Sequence, residues 1–161
     1  MDNDQVLRRQ LLARLRGEGA HMSFEEAVAD FPLEKINQRP PNIPYSPWEL
    51  LEHIRIAQWD ILDFIRNPDY VEMEWPKAYW PEKATYATQA QWQKTIQDFQ
   101  ADRAELEAIL EAPETDLFAA LFHGPQYTIL REILLVIDHN GYHLGEFGAL
   151  RGVLDAWPEG H

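Results

Sequence analysis

The sequence predicts an all-α protein, a four-helix bundle with a short extra helix near residues 23–31. Three observations favour this class. Apolar residues recur at intervals of three and four over four long segments, capping signals precede most of the helical segments, and no stretch shows the alternation typical of a β-strand. A chain of 161 residues with 45% apolar residues can bury one sizeable core. We therefore expect residues 1–161 to form a single helical domain.

The N-terminal part of the chain predicts two helices and one irregular connection. The first helix, over residues 4–16, carries leucines at every fourth position and stops at a glycine. The short extra helix begins with a capping box, Ser23 followed three positions later by Glu26, and it ends at Pro32. Residues 37–47 contain four prolines, which exclude continuous regular structure. We expect this segment to run along the outside of the bundle.

The second long helix has the clearest start in the sequence. Ser46 is a cap, Pro47 occupies the first helical position, and Glu49 completes the capping box. The helix is expected to end at Asn67, which precedes a proline. Residues 68–87 are rich in aromatic side chains, so they are not a flexible linker, and we expect them to cover one end of the core. A connection of this length also allows the next helix to be a parallel neighbour.

The third and fourth long helices complete the predicted bundle. Thr88 with Gln91 opens the third helix, which ends before Pro113. Thr128 caps the fourth helix, whose apolar face continues to about Trp157. The stretch between these two helices is rich in turn residues, and we expect no strand in it.

The charge balance restricts the class of partner. The 14 Lys and Arg residues against 27 Asp and Glu residues give a net charge of -13, so the average surface repels a phosphate backbone. We expect no nucleic-acid partner. No apolar stretch approaches the length of a membrane span and the N-terminus lacks a signal-peptide core, so we predict a cytoplasmic protein with no membrane partner. The absence of Cys excludes thiolate ligands and a cysteine nucleophile.

Three histidines carry the chemical hypothesis. His139 and His143 are four residues apart on the fourth long helix, a spacing that points both imidazoles the same way. His53 lies early in the second long helix, beside its apolar stripe. If these two helices pack antiparallel, the three imidazoles reach one level. Three imidazoles can hold a divalent metal and leave a position open for water or substrate, which favours a metal-dependent enzyme.

Other interpretations of these histidines remain open. A histidine on an apolar helix face is more often a hydrogen-bonded core residue than a ligand. The zinc-protease pattern His-Glu-x-x-His is absent because Asn140 follows His139, so peptidase chemistry is disfavoured. A dinuclear carboxylate site is also disfavoured, because no second Glu and His pair of the required order accompanies the fourth helix.

Glu146 is the candidate catalytic residue. It follows His143 by three positions and His139 by seven, so its side chain lies on nearly the same helix face. It is a candidate proton acceptor. Alternatively, it forms a hydrogen bond with a metal-binding histidine or acts as a weak fourth ligand of the metal. A solvated carboxylate at the rim of the bundle is an equally good interpretation.

Further residues admit two interpretations each. Four glycines form a smooth stripe on the last helix, either an intramolecular contact or a dimer seam. His21 and His123 stand beside loops and are expected at the surface or in capping positions rather than at a pocket mouth, and His161 is expected to be disordered. Five tryptophans either fill the core and its cover or wall a substrate pocket. The glycines are Gly141, Gly145, Gly148 and Gly152, and the tryptophans are Trp48, Trp59, Trp75, Trp80 and Trp92.

The phrases SPWELLEHIRIAQWDIL and LLVIDHNGYHLGEFGALR, with HMSFEEAVADFP and DLFAALFHG, resemble the DinB/YfiT-like superfamily over nearly the whole chain. The resemblance implies a four-helix bundle in up-down-down-up order that is commonly dimeric. It also implies a divalent metal, often zinc or nickel, held by His53, His139 and His143. Some members are transferases or isomerases that use small-molecule thiols such as bacillithiol or mycothiol, and many have no assigned activity.

These observations together define a functional hypothesis. One Zn²⁺ or Ni²⁺ on the three histidines activates water or a low-molecular-weight thiol for transfer, hydrolysis or isomerisation of a small-molecule substrate. The alternative is a non-catalytic metal- or ligand-binding bundle, and a purely structural interaction protein is a third class. A homodimer is expected from the resemblance.

Overall fold

The computed structural model describes residues 2–82 and 85–160, and His161 lies outside the described residues. The described part is mostly helical, with one small antiparallel sheet. None of its helices is both long and apolar enough to cross a membrane. The helices are α1 (Asn3–Leu15), α2 (Phe24–Val28), α3 (Pro47–Arg66), α4 (Gln89–Glu111) and α5 (Ile129–Val153). The all-α prediction is confirmed in this coarse form.

Each helix begins at a side chain that accepts a hydrogen bond from the first turn. Ser23, Ser46 and Thr88 form the predicted capping boxes, and Thr128 caps α5 as expected. A further capping box at Asp2 begins α1, and the sequence analysis missed it. Because these local bonds fix where α3 and α5 begin, they also fix the helical positions of the three histidines.

The helices α3 and α5 pack against each other and run in opposite directions. Early in α3, His53 meets His143 of α5. Farther along α3, Gln58 accepts a hydrogen bond of 3.0 Å from the amide nitrogen of Asn140. The position on α5 falls as the position on α3 rises, so the pair is antiparallel.

The helix α4 lies beside α3 in the same direction. Near the start of both helices, the Trp48 indole nitrogen donates to the Thr95 hydroxyl at 3.3 Å. Farther along, the Gln58 amide nitrogen donates to the Phe99 carbonyl at 2.8 Å. The fully buried Gln58 side chain therefore connects α4, α3 and α5.

The N-terminal helices pack on this arrangement. The helix α1 contacts α4 and α5. Arg8 donates to the Leu110 carbonyl at 3.0 Å and Arg16 donates to Glu107 at 2.9 Å, so α1 and α4 are antiparallel. The short helix α2 packs against α5 and buries Phe24 in the core, as expected for an extension of the bundle.

Two clusters of buried apolar side chains form the core. Trp48 and Trp92 are buried in the first cluster, and Trp80 packs against it. Trp59 and Trp75 are 37% and 69% exposed, so neither of these two is a core residue.

The two long connections are held against the helices by specific bonds. Asn37 donates its amide to the Ala87 carbonyl at 2.9 Å and accepts from the Ala87 amide at 2.8 Å, which joins the two connections to each other. A single 3-10 turn, Lys77–Tyr79, precedes Trp80 in the second connection. Trp80 packs on the core, as predicted for a segment that covers one end of it.

A β-hairpin precedes α5, which corrects the expectation that the chain has no strand. Strand β1 (Ala120–Leu121) pairs antiparallel with β2 (Gly124–Thr128). At the turn, Gly124 has φ of +139°, a conformation that side-chain-bearing residues rarely adopt. The sequence analysis missed the hairpin because β1 has only two residues, too few to show an alternating pattern.

The glycine stripe of α5 is half covered. A Cβ at Gly141 would lie 3.3 Å from the His21 ring, and one at Gly148 would lie 2.4 Å from the methyl group of Met22. A side chain at Gly148 would therefore require the flexible end of the Met22 side chain to move. Cβ atoms at Gly145 and Gly152 would meet nothing within 4 Å. Intramolecular contact thus accounts for only part of the stripe.

Arg151 is a fully buried cation near the end of α5. Its guanidinium donates to the carbonyls of Ala27 and Ala29, at 2.9 and 2.8 Å, and to that of Ala156, at 2.8 Å. It also lies 4.1 Å from the centre of the Trp157 ring. These bonds satisfy carbonyls at the end of α2 and after α5, which have no helical partner.

We expect Gln58→Leu to lower the free energy of unfolding by roughly 1–3 kcal/mol, because it leaves the buried Asn140 amide without its partner. Gln97→Leu, at an exposed position of α4, is the matched control and should change it by less than about 0.5 kcal/mol. Urea unfolding followed by circular dichroism measures both. Equal stabilities of the two variants would contradict a stabilising role for the buried amide.

Candidate metal centre

The structure brings the three predicted histidines together. His53, on the second turn of α3, is 2% exposed, and His139 and His143 on α5 are half-buried. The Nε2 atom of His53 lies 3.2 Å from Nε2 of His143 and 3.3 Å from Nε2 of His139. One nitrogen atom from each ring thus faces a common point.

These separations fit a metal site. A tetrahedral zinc ion with nitrogen ligands at about 2.0–2.1 Å requires its ligand atoms to be about 3.3 Å apart. The three histidines form a group whose ligand atoms all lie within 4.8 Å of one another, and this group can hold a metal ion. Glu146 is not a member of that group.

The far nitrogen of His53 is held by the chain itself. Its Nδ1–H donates to the backbone carbonyl of Tyr79 at 2.7 Å. This bond places the proton on Nδ1 and leaves the lone pair of Nε2 directed to the common point. The ring of Trp80 stacks on the His53 ring with centroids 4.0 Å apart and an angle of 1°. The hydrogen bond therefore restrains the His53 ring within its plane, and the stacked indole restrains it perpendicular to that plane.

A carboxylate holds the far nitrogen of His143. Its Nδ1–H donates to Glu146 at 2.7 Å. The same carboxylate raises the pKa of Tyr142, through hydrogen bonding and its negative charge, and burial followed by that charge raises the pKa of Tyr45. The sequence analysis placed Glu146 on the face of the histidines, and the structure puts it on the nitrogen of His143 that points away from the common point.

His139 lies in the most desolvated position of the three. Burial lowers its pKa to about 4, and the neighbouring rings of His143 and His53 add to this effect, while the Asn140 side chain acts in the opposite direction. Its Nδ1 and the amide oxygen of Asn140 are buried and lack a hydrogen-bond partner among the residues that the structure describes. Burial also lowers the pKa of His53. Both rings are therefore held in the neutral form that binds metals.

The arrangement of lone pairs is itself an argument for a cation. When both rings are neutral, the Nε2 atoms of His53 and His143 carry lone pairs, because the Nδ1 atoms of both rings donate hydrogen bonds. These lone pairs face each other at 3.2 Å. Two acceptors at this distance repel each other, and a positive ion between them removes the repulsion. The donor set and its hydrogen bonds thus fit a divalent metal.

Comparison with family models gives a match over residues 16–147, to the model described as the DinB superfamily. The matched range includes all three histidines. The chain belongs to the DinB superfamily. Comparisons with curated proteins and with solved structures give no significant match. The resemblance on which the sequence analysis relied is confirmed at the level of the superfamily.

In this DinB chain, the sequence analysis missed the residues that surround His53. It treated residues 68–87 only as a cover for the core, and it assigned no role to Tyr79, to the stacking of Trp80 or to Asp60. Asp60 follows His53 by seven residues, two turns along the same face of α3, and that spacing is the one available signal.

His21 and His123 are not members of the three-histidine group. His21 bonds through Nδ1 to the Met22 carbonyl at 2.8 Å and lines a cavity of about 710 Å³ with Arg151 and Trp157. His123 bonds to the Phe64 carbonyl at 3.1 Å, next to the hairpin. Both residues take the local bonding roles expected of histidines beside loops.

The metal-free protein should lose stability as the pH falls from about 6.5 to about 4. The lowered pKa of His139 means that the unfolded chain binds a proton in this range before the folded chain does, so acidification favours unfolding. The contribution of His139 is at most about 3 kcal/mol. His139→Gln should flatten the dependence of unfolding free energy on pH, measured by urea unfolding. An unchanged slope would contradict the assignment of this effect to His139.

Proposed function

We propose that the protein is a metal-dependent enzyme that binds one divalent ion, Zn²⁺ or Ni²⁺, through His53, His139 and His143. The observation that carries this proposal is the convergence of the Nε2 atoms of the three rings. In two of the rings, a hydrogen bond from Nδ1 fixes the orientation. Imidazole nitrogen suits both metals. Membership of the DinB superfamily is compatible with such a site.

The ion, when bound, supplies a Lewis acid that lowers the pKa of a water molecule or a small-molecule thiol in the open position. The chain has no Cys, so a thiol nucleophile comes from a small molecule. The proposed reactions are transfer of a low-molecular-weight thiol to an electrophile, or hydrolysis or isomerisation of a small-molecule substrate.

Glu146 has two parts in this proposal. It orients His143 through the bond to Nδ1. Its side chain is 30% exposed, so we also propose it as the proton acceptor for a substrate that reaches it from solvent.

Substrate reaches the site from the α5 side. The side chain of His143 is 14% exposed, and Tyr142 next to it is 66% exposed. On the opposite side, Trp80 covers the ring of His53. In this proposal the nucleophile binds on the α5 side of the three rings.

The finer features of the fold belong to the same proposal. We assign the four long helices to the up-down-down-up bundle of the superfamily, supported by the antiparallel pairs α1 with α4 and α3 with α5 and by the parallel pair α3 with α4.

A cytoplasmic homodimer is also proposed. Gly145 and Gly152 lie on an open face of α5 with the exposed side chain of Leu134, and sedimentation equilibrium measures whether two copies associate.

A non-catalytic metal- or ligand-binding protein is the second candidate. It is favoured by the burial of His53, whose ring is 2% exposed and covered by Trp80. Such a protein binds the metal with no coordination position at which a water molecule or substrate can exchange. A Co²⁺-substituted sample separates the two candidates, because azide changes its visible spectrum only if a ligand position is open.

Protein purified without chelators should contain about one equivalent of divalent metal, measured by inductively coupled plasma mass spectrometry. His53→Ala, His139→Ala and His143→Ala should each reduce bound metal to background, because each removes one of three ligands. His21→Ala is the matched control, an imidazole outside the group, and should retain the metal. Metal that persists in the triple variant, or a wild-type protein without metal, would reject the site.

Turnover should require both the metal and Glu146. We expect conversion of at least one electrophile in the presence of cellular thiols, or hydrolysis of a small substrate, that is lost after chelation and restored by Zn²⁺ or Ni²⁺. Glu146→Gln should lower kcat about 100-fold or more while leaving the protein folded. Chromatography coupled to mass spectrometry detects the products. A metal-loaded protein that converts no pair of thiol and electrophile and no hydrolysable substrate would support the non-catalytic candidate.

A further inference from the structure

Residues 70–80 form a segment that we call the aromatic strap, and it lies against α3. Two of its phenols bind one carboxylate of that helix. The hydroxyl of Tyr79 donates to Asp60 at 2.7 Å, and the hydroxyl of Tyr70 donates to the other oxygen of Asp60 at 3.0 Å. The strap is therefore fastened to α3 at a point two turns from His53.

Tyr79 bridges two positions on α3. Its side chain ends at Asp60, and its backbone carbonyl accepts the Nδ1–H of His53 at 2.7 Å. The two α3 residues are seven positions apart, a rise of about 10 Å along the helix. A single residue of the strap thus connects a carboxylate outside the three-histidine group to the orientation of one of its rings.

The Asp60 end of this connection is rigid. Asp60 is 7% exposed, so little water competes for its oxygens, and each oxygen accepts a phenol. Hydrogen bonds to a carboxylate are shorter and stronger than bonds between neutral groups. The carboxylate raises the pKa of Tyr70 to about 12 and raises that of Tyr79 further, with burial as the first cause in both, so both phenols remain donors.

The ring of Trp80 depends on the same anchor. It follows Tyr79 directly and stacks flat on the His53 ring. A shift of the Tyr79 backbone would therefore move both the acceptor of Nδ1 and the surface on which the ring rests. No other residue of the strap touches His53 through a described hydrogen bond or ring contact.

We propose that Asp60 is a positioning residue for His53 and acts through the Tyr79 hydroxyl, so that the affinity of the site for metal depends on a carboxylate that does not touch the metal. This inference rests on the proposed function, because it assumes that His53 is a ligand. It goes further by assigning the strap a role in metal affinity beyond covering the core.

The two tyrosines provide a matched pair of variants. Tyr79→Phe and Tyr70→Phe each remove one phenol from the same carboxylate, but only Tyr79 also contacts His53. We expect Tyr79→Phe to weaken Zn²⁺ binding about 10-fold, and Tyr70→Phe to weaken it less than about 2-fold. Competition with a chromophoric chelator measures both affinities. Asp60→Asn, which keeps the shape of the side chain, should resemble Tyr79→Phe.

A second measurement separates ring orientation from general stability. In the visible spectrum of Co²⁺-loaded protein, Tyr79→Phe should shift the absorption bands and Tyr70→Phe should not. In metal-free protein, ¹⁵N NMR should show His53 protonated at Nδ1 in the wild type and a mixture of the two neutral forms in Tyr79→Phe. Thermal unfolding of each variant confirms that it is folded under the conditions of measurement.

The outcomes decide the inference separately from the proposed function. Equal losses of affinity in the two tyrosine variants, or no loss in either, would overturn it. If Tyr79→Phe does not fold, Asp60→Asn with unchanged Zn²⁺ affinity and unchanged His53 protonation would overturn it as well. A wild-type protein that binds no metal rejects the proposed function, whereas the ¹⁵N signals of His53 still show whether the strap positions the ring.

Discussion

The antiparallel contact between α3 and α5 is the constraint on which the candidate site depends. His53 lies 86 residues before His139 and 90 before His143, and this contact brings its Nε2 atom to those of the two α5 histidines. The contact is maintained by apolar packing and by one buried polar bond between Gln58 and Asn140, adjacent to His139. A slip of one residue between the helices would rotate a ligand away by about 100°.

The three histidines are controlled by different physical means. A backbone carbonyl accepts the hydrogen bond from Nδ1 of His53, and a carboxylate accepts the one from Nδ1 of His143. The Nδ1 atom of His139 is buried and has no hydrogen-bond partner among the described residues. Hydrogen-bond partners at Nδ1 fix the tautomer and the orientation of a ligating imidazole. The orientations of His53 and His143 are therefore fixed by hydrogen bonds, and that of His139 by packing.

The parts of the structure that could be predicted from sequence are those with local signals. The capping boxes at Ser23, Ser46 and Thr88 and the spacing of the two α5 histidines depend on residues within one or two helical turns. The surroundings of His53 could not be predicted, because Tyr79 and Trp80 belong to an irregular segment whose sequence has no hydrophobic periodicity. The hairpin before α5 was missed for a similar reason, since strand pairing across a turn leaves little pattern in two residues. Local periodicity thus located the ligands but not the groups that orient them.

The bonds of Arg151 have a consequence for the order in which the protein can be made. The carbonyls of Ala27 and Ala29 find their guanidinium donor more than 120 residues later in the chain. Until the end of α5 is present, these carbonyls lack that donor. The packing of the N-terminal segment is therefore completed by the same helix that carries two of the three ligands.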